Sequence, residues 1–157
     1  MTLTAYRAEI ETAAHAHALD PHLVEAVVLV ESSGYTHAFR HEAAFFRRYL
    51  ADHPRYAGAN PLRVSSSYGL MQVMYPVAVE HGLVGAPEQL FVPEVGLEYG
   101  CRHLRMLVEW AQGDQHAALG AYNGGKAGNR PGAPPRNQSY VTKVLGAHAR
   151  VLEARGA

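Results

Sequence analysis

Glu31 is the residue best placed to do chemistry. It closes an apolar helical run, Leu23-Val24-Glu25-Ala26-Val27-Val28-Leu29-Val30, and Ser32-Ser33-Gly34 follows at once. On a helix, positions 24, 27, 28 and 31 share one face, so the carboxylate continues a stripe of three valines. Gly34 predicts the helix stop, which puts Glu31 in the last turn, where the macrodipole disfavours negative charge. Desolvation and the dipole both raise a carboxyl pKa, the condition for a general acid near neutral pH. The competing reading is a solvated Glu at a frayed helix end.

Two other segments set polar groups among apolar ones. Ser67-Tyr68-Gly69-Leu70-Met71-Gln72-Val73-Met74 joins a glycine, which permits close backbone approach, to a Gln that both donates and accepts. Its plain alternative is the start of an amphipathic helix with one polar residue. Ala121-Tyr122-Asn123-Gly124-Gly125 ends a helix with a Tyr–Asn pair beside a turn, or is a C-cap with Asn and Gly at positive φ.

Other motifs fail on their context. Gly120 to Lys126 has the spacing of a phosphate-binding loop, but Ala127 stands where Ser or Thr should ligate magnesium, and a helix precedes it. His41-Glu42-Ala43-Ala44 begins like a zincin helix and then has Phe45 in place of the second His. His15 and His17 fall on different helix faces, unsuited to one metal ion. Ser65-Ser66-Ser67 lacks the glycine that precedes a nucleophile-elbow serine. No cofactor and no metal are expected.

The elements that must position these residues are mostly helical. Residues 4–18 predict an alanine-rich helix, and Asp20 as N-cap with Pro21 starts the helix that ends near Glu31. A helical stretch is expected around 42–51, then a loop marked by Pro54, Gly58, Asn60 and Pro61. Residues 65–81 predict two short helices, the second begun by Pro76. Pro93 opens a long helix, Asp114 caps one over 114–122, residues 124–136 form an irregular Gly/Pro loop, and 138–154 make the last helix. No stretch alternates with period 2, so little or no β-sheet is expected. With no repeat and no linker, residues 1–157 predict a single, mostly α domain.

Composition narrows the function. A chain of 157 residues, 48% hydrophobic and 18% charged, has a real core and is not disordered. Fourteen basic and fourteen acidic residues cancel, which removes the basic footprint of a nucleic-acid binder. Ten histidines make the protein more cationic as pH falls, favouring an anionic polymer such as a cell wall. Cys101, the single cysteine, is expected as a buried thiol. The N-terminus is charged early and has no apolar leader core, and no run approaches the roughly 18 apolar residues of a membrane span. Synthesis in the cytoplasm, without membrane insertion, is therefore expected, and an extracellular target requires a delivery route.

Glu31-Ser32-Ser33-Gly34, then Gly69-Leu70-Met71-Gln72, then Ala121-Tyr122-Asn123-Gly124-Gly125, in this order and spacing, resemble the soluble lytic transglycosylase family of the lysozyme superfamily. The resemblance spans roughly residues 18–145. The segment Phe39 to Tyr49 is longer than the compact family pattern and looks similar to a phage and prophage subgroup. The resemblance implies a lysozyme-like domain cleaving the β-1,4 bond between N-acetylmuramic acid and N-acetylglucosamine of peptidoglycan, with a 1,6-anhydro product. Glu31 matches the catalytic acid/base. Ser67, Met71 and Gln72 fall in the stretch lining the sugar cleft, Tyr122 matches the tyrosine that positions the carboxylate, Asn123 is its neighbour, and Tyr140 is a further match.

The resemblance also implies a serine upstream of Gly69-Leu70-Met71-Gln72, and Ser65, Ser66 and Ser67 compete for that place. Glu42 either belongs to a solvated cluster with Arg40, Arg47 and Arg48 or serves as a second carboxylate. In the second case water would be the nucleophile, as in goose-type lysozymes. A non-catalytic wall-binding module is the remaining rival. The apolar positions fit a monomer, reaching the wall by release, on a virion, or as one domain of a longer protein.

Overall fold

The computed structural model describes residues 3–157; Met1 and Thr2, part of the segment read for a leader, lie outside the described residues. Helix α1 runs Arg7–Ala16 and α2 Pro21–Ser32. Asp20 caps α2 by accepting from the His22 backbone N–H at 2.9 Å, with Pro21 behind it. Helix α1 starts later than expected because residue 4 is drawn away. The Thr4 backbone N–H donates to Glu25 Oε1 at 3.2 Å, and its Oγ1 accepts from the Tyr6 N–H.

Helix α2 is the centre of the molecule. Leu23 through Val28 are all buried, so the helix is enclosed all round, chiefly by α1 and by the C-terminal helix α8 (Gln138–Arg155). Glu25, fully buried in this stretch, is the exception in polarity. Arg7 donates to it at 2.9 Å, and Arg155 at 2.7 and 3.0 Å. Desolvation alone would raise its pKa, but the hydrogen bonds and charge of Arg155, with Thr4 and Arg7, hold it below the usual carboxylate range.

A small antiparallel sheet follows. Strand β1 (Phe39–His41) pairs with β2 (Ser66–Tyr68), and β2 with β3 (Val73–Met74), in the order β1-β2-β3. The register sets Arg40 opposite Ser67, and Ser67 opposite Met74. This corrects the expectation of a helix at the start of 65–81. Gly69 (φ +75°) and Gln72 (φ +50°) turn the chain back into a hairpin, and Ser66–Tyr68 are buried on both faces, so no alternation marked the strand. Helix α5 (Tyr75–Glu80) does form, with Pro76 in its first turn.

Between β1 and β2, α3 (Ala43–Phe45) widens into a π-helical turn over Phe46–Leu50, where the Ala51 N–H reaches the Phe46 carbonyl at 2.8 Å. Helix α4 (Pro61–Val64) leads into β2. A 3-10 turn, Pro87–Phe91, precedes α6 (Pro93–Trp110), and α7 (Gln115–Gly124) begins at Asp114, whose side chain accepts from the Ala117 N–H at 3.1 Å. Cys101 is buried inside α6, where burial pushes its thiol up to about 12. The architecture is mostly α, as expected, with a three-stranded sheet as its only β element among the described residues.

Candidate active site

Three chain reversals meet at one cleft: the end of α2, the β2–β3 turn and the end of α7. The C-cap Ser33 takes a left-handed conformation and Gly34 follows at φ +79°, so α2 stops just beyond Glu31. Ser32, in the last turn, donates its hydroxyl to the Leu70 carbonyl at 2.8 Å, fastening α2 to the β2–β3 turn. Tyr122, near the end of α7, donates to the Met71 carbonyl at 2.6 Å, fastening the same turn from the other side. Gly69 is required where it stands, since a Cβ there would collide with the Leu90 carbonyl oxygen and its φ is positive.

The cleft so formed has a volume of about 1090 Å³, beyond the usual range for a small-molecule pocket. Glu31 lines it together with Glu42, Ser67, Gln72, Tyr122 and Asn123. Burial pushes the Glu31 carboxyl up to about 7; the Tyr140 hydroxyl, donating at 3.4 Å, and the Arg40 charge oppose the rise, while Glu42 adds to it. At neutral pH this group is divided between acid and base forms.

Gln72 spends its amide nitrogen on the Ala38 and Gly69 carbonyls, at 3.0 and 3.1 Å, which leaves its Oε1 for the cleft. Of the three competing serines, Ser67 reaches the cleft. Ser65 is tied to the Glu42 carbonyl at 2.7 Å and Ser66 to that of Leu62. Met71 departs from the expected cleft lining: its side chain is fully buried beside Cys101, 4.0 Å from the thiol, and its contribution is the carbonyl that Tyr122 binds. The hydrogen bond to Glu31 comes from Tyr140 on α8, and not from Tyr122. Glu42 does line the cleft, but Arg40 Nε holds it at 3.1 Å.

Sequence reasoning passed over several residues that hold the site. Asn137 Nδ2 donates to Asn123 Oδ1 at 2.8 Å and to the Gly120 carbonyl at 3.0 Å, fixing the Tyr122–Asn123 corner. Asn129, fully buried, staples the Gly/Pro loop through the Gly125 carbonyl and the Arg136 N–H. A polar residue flanked by Gly and Pro, or one just ahead of a helix start, was the available signal. His103 on α6 and Arg40 on β1 also line the cleft, and neither had a local pattern to mark it. Among the described residues no group of three or more His, Cys, Asp or Glu is placed to hold a metal ion.

The transglycosylase SLT domain family matches residues 9–137, which takes in Glu31, the β2–β3 turn and the end of α7. The chain belongs to this family. No curated protein is similar to it in sequence. Among solved structures, this SLT domain superimposes on an inactive mutant of the lytic transglycosylase Slt from Pseudomonas aeruginosa, with a TM-score of 0.74 and 21% identity over 98% of the chain. It also superimposes on the 70 kDa soluble lytic transglycosylase of Escherichia coli (TM-score 0.71, 19% identity, 97% of the chain). A 70 kDa soluble lytic transglycosylase in complex with bulgecin A gives 0.68 and 18% over 98%. The SLT domain spans 25% of the length of each of these proteins. At such identities the likeness is one of fold.

Proposed function

We propose that this SLT domain is a peptidoglycan lytic transglycosylase, cleaving the β-1,4 bond between N-acetylmuramic acid and N-acetylglucosamine. The observation that carries this reading is Glu31, a carboxyl raised to about 7 in a cleft of about 1090 Å³. Protonated Glu31 gives its proton to the glycosidic oxygen as the bond to C1 breaks, with the substrate's N-acetyl oxygen assisting at C1. The Glu31 carboxylate then takes the proton of the muramic C6 hydroxyl, and O6 attacks C1 to close the 1,6-anhydro ring. Proton and electron pair balance across the two steps, so a second catalytic carboxylate is not required, an exception to the paired-carboxylate rule.

The surroundings support each step. Tyr140 steadies the ionised form that Glu31 adopts between them. Gln72 Oε1, Ser67 and Asn123 offer polar contacts to sugar hydroxyls and amides along the cleft. Mass spectrometry of muropeptides released from purified peptidoglycan tests the reading. Ends of 1,6-anhydromuramic acid, lighter by one water than reducing ends, are expected.

Glu42 supports a second reading, hydrolysis, because it lines the same cleft. Its ion pair with Arg40 favours a positioning role instead. The length of the segment Phe39–Tyr49 in the sequence is the ground for proposing the phage and prophage subgroup, with access to the wall by release or on a virion.

A further inference from the structure

His103 belongs to none of the three motifs, yet α6 delivers its ring to the cleft beside Tyr122, with ring centroids 5.7 Å apart at 48°. Its Nδ1 is committed, lying 2.9 Å from Nε2 of His81, the C-cap residue of α5. His81 is held in turn by its own backbone carbonyl, which accepts from Arg102 Nη1 at 2.6 Å. The imidazole of His103 therefore cannot rotate without breaking a hydrogen bond, and one ring edge is fixed toward α5.

That leaves Nε2. Among the described residues it has no hydrogen-bond partner. It is not sealed in the interior either, since the only buried side-chain polar atom without a partner among them is Asn137 Oδ1. The ring is also uncharged near neutral pH: burial, with His81 and Lys126 nearby, pushes it down to about 4, and His81 is lowered as well. A neutral imidazole with one nitrogen locked and the other open to a cleft is a directional polar contact.

We propose that His103 is a substrate-binding residue, its Nε2 hydrogen-bonding a sugar hydroxyl of the bound glycan, with His81 acting as the positioning residue that aims it. A hydroxyl suits either arrangement of the proton shared by the pair. If His103 donates to His81, Nε2 accepts from the hydroxyl; if His81 donates, Nε2–H donates to it. The inference rests on the saccharide reading of the cleft and adds a contact from α6 to those offered by the β2–β3 turn.

The test uses two substitutions that split the imidazole. Asn places a polar atom near the Nδ1 position and nothing at Nε2; Gln does the reverse. In a Glu31→Gln background, expected to bind without cleaving, affinity for a soluble N-acetylglucosamine oligomer is measured by calorimetry. His103→Asn is expected to weaken binding roughly three- to tenfold, the worth of one neutral hydrogen bond, while His103→Gln recovers most of the loss. Equal affinity in His103→Asn and its parent overturns the proposal. Parallel losses in both variants that follow their Tm also overturn it, because a purely structural role would not distinguish the two ends of the ring. If the Glu31→Gln parent itself fails to bind the oligomer and the unsubstituted protein releases no muropeptides, the saccharide reading falls and the inference falls with it. Released muropeptides with an unaffected His103→Asn isolate the failure to His103.

Discussion

The Tyr122 hydroxyl donates to the Met71 carbonyl at 2.6 Å, joining the end of α7 to the β2–β3 turn. Tyr122 Oη has thereby a fixed direction, and its raised pKa, from burial first and from Glu31 and Tyr140 next, keeps it a neutral donor. Tyr122→Phe removes the donor and leaves a carbonyl without its partner. A loss of about 1–3 kcal/mol is expected, read as a several-degree fall in Tm, together with reduced turnover as the turn carrying Gln72 loosens.

Glu31→Gln is expected to abolish glycan cleavage and to stabilise the fold. A carboxyl with a folded pKa near 7 against an ordinary value of 4.5 binds protons more tightly when folded. Its contribution is fully present below about pH 4.5 and is lost as pH rises to about 7. Unfolding free energies of the two proteins should coincide at pH 4 and diverge by up to about 3 kcal/mol in favour of Gln at pH 8. Equal stability at both pH values would place Glu31 in solvent.

Tyr140→Phe deletes a hydrogen bond that favours the ionised form of Glu31. The alkaline limb of the pH–rate profile, set by loss of the Glu31 proton, should move to higher pH. Turnover should fall, because the carboxylate needed for the second step becomes less accessible. An unmoved limb would show that the 3.4 Å contact has no influence on the acid.

Glu42→Gln removes a charge that raises Glu31 and releases Arg40, which lowers it. Both effects shift the same limb to lower pH. The products should remain anhydro-ended, and a switch in product chemistry on this substitution would make Glu42 a participant in the reaction.

Gly100→Ala probes the support beneath the turn. A Cβ at this position of α6 would meet the Met71 sulfur and lie 2.7 Å from Met71 Cβ, too close for a rotamer change alone to relieve. Overpacking should cost about 1–3 kcal/mol in denaturant unfolding and displace the Met71 carbonyl from Tyr122.

The helices were legible because their signals are local: Asp20-Pro21 for α2, Pro93 for α6 and Asp114 for α7 all mark the observed starts. The hairpin at 66–74 was not, since β2 is buried throughout and β3 has only two residues, which leaves no periodicity to read. Glu31 stood out through its place on the valine stripe. His103 and Asn137 act through partners twenty-two and seventeen residues away, and the Tyr140 contact spans 109, so no short window of sequence contains both ends; Asn129 bonds within its own loop, where a Gly/Pro-rich stretch has no periodicity to read.

Helix α2 carries two carboxylates in opposite circumstances. Glu25, clamped by Arg7 and Arg155, is held ionised, while Glu31 is poised to take up and lose a proton. The charge that secures both ends of the chain is therefore separate from the one that cycles. A change of protonation at the helix tip leaves the electrostatic anchor six residues earlier in place, and the labile proton of Glu31 is separate from the charge that ties the termini together.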